Sequence, residues 1–119
     1  MDDLVQFLRD CLNDDEQAAR TAKPGPWHDD DGSVYASHPT DEVVSYTDSG
    51  AHIARHDPAR VLREVEAKRA LLSRYEAMTA DVLVVTGREA ILSEYRRIIL
   101  PGLALPYADR PDYQETWKP

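Results

Sequence analysis

At 119 residues the chain is long enough for one hydrophobic core with little area to spare, so a single domain over 1–119 is expected. Its formal charge of −8, from 22 acidic against 14 basic residues, argues against direct binding to DNA or RNA, which requires basic groups to displace counterions from phosphate. Cys11 is the single cysteine; it excludes an intramolecular disulfide or a cysteine-rich zinc site, suits a reducing cytoplasm, and predicts a buried thiol.

The opening MDDLVQFLRD is acidic and lacks the basic flank and apolar run of an export leader. No stretch approaches the ~18 to 20 apolar residues of a membrane span. A soluble, unexported protein with no membrane partner is therefore expected. Asp2 and Asp3 favour a helix start through the dipole, and Leu4, Val5, Leu8, Cys11, Leu12, Ala18 and Ala19 recur at helical steps, which predicts a first helix over 2–21. Its outer face carries Asp10, Asp14, Asp15 and Glu16. These read as a solvated surface, because a carboxylate metal site needs a defined geometry and a pocket.

Lys23-Pro24-Gly25-Pro26 must break that helix, since proline removes a ladder donor and biases the residue before it towards extended backbone. Trp27 follows as the first bulky residue. A turn and hairpin are expected over 24–47: Asp30-Asp31-Gly32 reads as a turn, and Ser33 to Ala36 and Glu42 to Tyr46 as antiparallel strands with one apolar face and Trp27 set against helices.

Asp48-Ser49-Gly50 is a further turn, and Ala51 to His56 make one helical turn. Asp57 can cap the orphan amides of a new helix, and Pro58 suits its first position, where a missing N–H costs nothing. A second helix over 57–78 follows, with an apolar stripe of Val61, Leu62, Val65, Leu71, Leu72, Tyr75 and Met78. The stretch 81–100, DVLVVTGREAILSEYRRIIL, is ambiguous: its valines suit a strand, whereas Ala90, Ile91, Leu92, Tyr95, Ile98 and Ile99 have helical spacing. A third helix over 81–100 is favoured, although Gly87 weakens it by about 1 kcal/mol relative to alanine. Whether 82–86 is strand or helix stays open. Pro101-Gly102 interrupts the pattern, and a short helix and aromatic-rich tail occupy 103–119. The fold class is then α+β, mainly helical, with three helices and a small antiparallel hairpin inserted between the first and second.

His52 and His56 stand four apart, so on a helical turn both imidazoles share one face, as a two-histidine metal pair requires. His28 and His38, with Asp29 to Asp31, are the residues that would complete such a shell. Nothing in the spacing places a third ligand, so no metal and no cofactor are assigned. Arg55, His56, Asp57 and Arg60 surround a helix start, where backbone amides already favour anions. Trp27 can stack on a base, although a lone tryptophan after a proline turn is more often a core anchor. The candidate ligand-binding set is therefore His52, Arg55, His56, Asp57, Arg60 and Trp27. No phosphate loop, nucleophile elbow or cysteine–histidine dyad is present, and Ser45, Ser49 and Ser73 lack a placed base, so no catalytic residue is named.

The PGPW turn at 24–27, the segment HIARHDPARVL from His52 to Leu62 and the tail LALPYADRPDYQETW resemble an uncharacterised family of small acidic proteins, a domain of unknown function found in actinobacteria and their phages. The resemblance covers residues 2–75 and 103–119. It brings no activity and no catalytic residues. Many relatives carry cysteines between the second helix and the tail; Met78 to Pro101 here has none, so a metal role for such cysteines does not transfer. The phage association implies an accessory or counter-defence role.

These features together predict a non-catalytic binding or interaction protein, a homo-oligomer with an aromatic tail able to reach a neighbouring copy, whose partner is a protein or a small anionic ligand. The alternatives are a small enzyme or a metal- or nucleotide-binding protein built on His52, Arg55, His56 and Asp57, and an acidic decoy for a nucleic-acid-binding protein.

Overall fold

A computed structural model of the chain describes residues 1–36 and 40–119. In chain order it contains α1 (Asp2–Thr21), β1 (His28–Asp30), β2 (Ser33–Tyr35), β3 (Glu42–Val44), α2 (Gly50–Arg55), α3 (Pro58–Thr79), α4 (Arg88–Glu94), a π-helical turn (Tyr95–Ile99) and α5 (Leu100–Ala104), then short 3₁₀ turns at Leu105–Tyr107 and Glu115–Trp117. The fold is α+β and mainly helical, with an antiparallel sheet between α1 and the following helices. Among the described residues no helix is long and apolar enough to cross a membrane. Two compact units divide the chain, one from Asp14 to Glu66 and the other from Met1 to Asn13 with Ala67 to Pro119.

In the unit 14–66 the hairpin carries a strand that the sequence did not announce. His28-Asp29-Asp30 has little β propensity, yet it pairs antiparallel with β2 in the register His28↔Tyr35, Asp29↔Val34, Asp30↔Ser33. The cause is the two-residue turn between them: Asp31 and Gly32 both have positive φ, 52° and 91°, the geometry that matches strand twist and that Asp-Gly supplies at low cost. Asp30 is thus the end of a strand and not part of the turn. β3 pairs with β2 through Val34↔Val44 and Tyr35↔Glu42, so the register shifts by one residue and Val43 is the extra residue of a bulge. Val34 and Ala36 are fully enclosed, and α2 lies against β1 and β2.

The other unit is built on α1's apolar face. Leu4, Val5, Phe7, Leu8 and Cys11 join Leu72, Tyr75 and Met78 of α3 and Leu92, Tyr95, Leu100 and Ala104 in one buried cluster. Cys11 is fully enclosed. Leu71, placed in the α3 stripe by its spacing, is instead 40% exposed. The tail closes on its own chain: Tyr113 and Trp117 bring their ring centroids within 5.9 and 5.0 Å of Phe7, and the Arg110 guanidinium lies 5.7 Å from the same ring. These aromatics pack against Phe7 of their own chain.

The helix expected over 81–100 does not begin at Asp81. Asp81 itself has φ 58°, and the amides of Val82 and Leu83 both donate to the Ala77 carbonyl at 2.9 and 3.0 Å, turning the chain off the end of α3. Arg88 completes the termination by donating from Nε and Nη2 to the Met78 carbonyl at 2.9 and 2.7 Å. Gly87, with φ 75°, then opens α4. Residues 82–86 are neither helix nor strand, but they alternate as a strand does: Leu83 and Val85 pack on the core, whereas Val82 and Val84 are 81% and 80% exposed.

The helix also runs past its expected end. Pro101 has no N–H and its ring crowds the carbonyl four residues back, so the ladder is relieved upstream by a π turn in which the Leu100 amide reaches the Tyr95 carbonyl. The chain stays helical through Pro101 to Ala104. One residue is gained in the turn, and this moves burial from Ile99 to Leu100.

Candidate functional site

Asp57 is the centre of the predicted site, and the fold has used both of its oxygens. It is 8% exposed. Oδ1 accepts from the Arg60 amide at 2.9 Å, the N-terminal cap of α3, and Oδ2 accepts from the Trp27 amide at 3.1 Å. One carboxylate therefore fixes both the helix start and the residue that follows the proline turn. The approach is close enough to exclude any side chain from the turn: a Cβ built on Gly25 would lie 2.8 Å from Asp57 Oδ2. The Gly25–Pro26 peptide is cis. Trp27 is half-buried, its indole N–H donating to the Lys23 carbonyl at 2.9 Å, and Lys23 Nζ in turn reaches Asp41 at 2.6 Å and the Glu42 carbonyl at 2.9 Å. Trp27 is thus held at both of its N–H groups, the amide by the Asp57 carboxylate and the indole by the Lys23 carbonyl, which suits an anchor better than a stacking platform.

This arrangement changes the electrostatics of the helix start. The first-turn amide that would meet an external anion already meets Asp57, whose charge opposes a second anion at the same place. Arg60 turns away, with Nε on Glu64 Oε1 at 3.0 Å and Nη1 on the Arg55 carbonyl at 3.4 Å. Arg55 is exposed, and among the described residues its guanidinium has no carboxylate partner. A groove of about 450 Å³ adjoins the turn, but Ala19, Arg20, Pro24, Gly25, Pro58 and Leu62 are among the residues that line it, and His52, Arg55, His56 and Arg60 are not. Those four stand on exposed surface.

His52 and His56 come together as the spacing predicts. Their ring centroids are 4.3 Å apart with planes inclined by 34°, and His56 Nδ1 donates to the His52 carbonyl at 2.8 Å. His28 is committed elsewhere, stacked on its cross-strand partner Tyr35 at 5.8 Å. No group of three or more His, Cys, Asp or Glu side chains suited to a metal forms among the described residues, and His38 lies outside them. The most exposed large hydrophobic side chains among the described residues are Tyr46, 96% exposed with φ 51°, and Val82 and Val84. The alternation in DVLVV was the available signal for the valines. Nothing in the sequence distinguishes Tyr46 from a buried strand tyrosine.

A mainly helical α+β scaffold with a carboxylate-latched helix start defines the class. The chain belongs to a family of unknown function, DUF6221, whose match runs over residues 1–119. No curated protein and no solved structure matches it.

Proposed function

We propose that this is a non-catalytic interaction protein that works in the cytoplasm and associates with itself. One observation carries the reading: Val82 and Val84, two residues apart, present bare methyl groups to water at 81% and 80% exposure, while Asp57 and Arg60, offered by the sequence as anion-binding groups, serve hydrogen bonds within the fold. A segment with one apolar face on the core and the other in solvent favours a second apolar surface over a polar ligand. The resemblance to small phage-associated proteins adds an accessory or counter-defence setting. Light scattering across concentration is the test: the 13.5 kDa chain is expected to show at least twice its mass at tens of micromolar, and a strictly monomeric mass there would remove the self-association.

The same reading predicts that a thermal-shift screen of phosphate, nucleotides and phosphorylated sugars gives no hit at millimolar ligand. A rise in melting temperature abolished by Arg55→Ala and by His56→Ala would instead support the rival, an anion held by His52, Arg55, His56, Asp57, Arg60 and Trp27.

A separate observation favours a second reading, an acidic decoy for a nucleic-acid-binding protein. No Lys or Arg lies between Lys23 and Arg55, whereas Asp29, Asp30, Asp31, Asp41, Glu42 and Asp48 all do, so the negative charge is concentrated around the sheet. Binding to a basic partner that weakens steeply with added salt would support it.

A further inference from the structure

The geometry points to a surface site for a divalent transition cation on the imidazoles of His52 and His56, a function separate from the proposed self-association. A carbonyl oxygen can only accept, so the 2.8 Å contact between His56 Nδ1 and the His52 carbonyl requires the proton on Nδ1. In the neutral ring this leaves the His56 Nε2 lone pair free of hydrogen, which is the form a metal takes. A carbonyl behind a histidine ligand is also the usual device that sets the ring's tautomer and orientation. His52 lies one helical turn back on the same face, with its ring centroid 4.3 Å away and the planes inclined by 34°, so rotation of the two side chains on a fixed backbone brings two nitrogens to one ion.

The surroundings favour a cation. His56 caps the C-terminal end of α2, where unpaired carbonyls carry partial negative charge, and the acidic residues around the sheet raise the local concentration of positive ions. Both side chains are exposed, so the rings can turn to meet an ion while the backbone stays as it is. Two imidazoles fill half of a tetrahedral set and leave the other positions to water or to a donor from a partner. Such a site exchanges its ion readily and does not serve as a folding staple. Nitrogen donors select Zn²⁺, Ni²⁺ or Cu²⁺ over Mg²⁺ and Ca²⁺, which prefer oxygen.

Calorimetric titration of protein without a histidine tag tests this with Ni²⁺ and Zn²⁺ in excess Mg²⁺. About one equivalent per chain is expected, with affinity falling at least about tenfold in both His52→Ala and His56→Ala and unchanged in His28→Ala. Circular dichroism of the two variants should match the parent, because neither side chain supports the core. Absence of binding at millimolar Ni²⁺, binding that survives both substitutions, or displacement by Mg²⁺ would each overturn the proposal.

Discussion

Asp57→Ala is expected to destabilise the protein by about 2 to 4 kcal/mol, more than a surface carboxylate should. Loss of a helix cap costs about 1 kcal/mol, and a half-buried Trp27 amide left without an acceptor adds about 1 to 3 kcal/mol. Both bonds come from one side chain, 2.9 Å to Arg60 and 3.1 Å to Trp27, so the two losses occur together. Asp57→Asn retains one acceptor oxygen and can satisfy only one of the two amides, so it should recover about half. Urea unfolding measures both variants. A cost under about 1 kcal/mol for Asp57→Ala would show that the carboxylate is not a latch, and it would return Asp57 to the list of groups free to meet a ligand.

Leu100→Ala should cost about 3 to 5 kcal/mol, while Ile98→Ala costs less than about 1 kcal/mol. Leu100 is fully buried and Ile98 is 50% exposed, although the sequence spacing put Ile98 and Ile99 on the apolar stripe. The difference tests the π turn. An uninterrupted α-helix would carry the buried face from Leu92 and Tyr95 on to Ile99, whereas the turn steps it five residues, from Tyr95 to Leu100, and four more to Ala104. A cost for Ile99→Ala that exceeds that for Leu100→Ala in urea unfolding would mean that the helix is regular there.

These two positions also show what the sequence carried and what it did not. The cap at Asp57 with Pro58 behind it was legible because capping is local: the donor is three residues away. Its second bond, to the amide of Trp27, was not, because the two residues stand thirty positions apart with a sheet between them in the chain, and no spacing rule relates them. The His52–His56 contact was legible for the same local reason, while the hydrogen bond that fixes the His56 tautomer needed coordinates. The start of α4 was misread because the valine-rich run Val82 to Val85 was weighed against a downstream helical period, and the residues that stop α3 act together only in three dimensions: Asp81 in a left-handed conformation and Arg88 on the Met78 carbonyl. β1 was missed because His28-Asp29-Asp30 is a strand by virtue of the turn that follows it and not by its own propensity.

The exposed pair Val82 and Val84 bears most directly on function. Replacing both by aspartate places charge on a surface that the proposal assigns to a second copy, and burying an unpaired carboxylate in an apolar contact is prohibitively costly. Because both side chains are mostly in solvent in a single chain, the double substitution should leave the melting temperature of the dilute monomer within about 2 °C of the parent. The decisive measurement is light scattering of the parent and of Val82→Asp/Val84→Asp side by side at tens of micromolar. The account predicts an associated parent and a monomeric, folded variant; a parent that is already monomeric, or an associated mass unchanged by both aspartates, would contradict it.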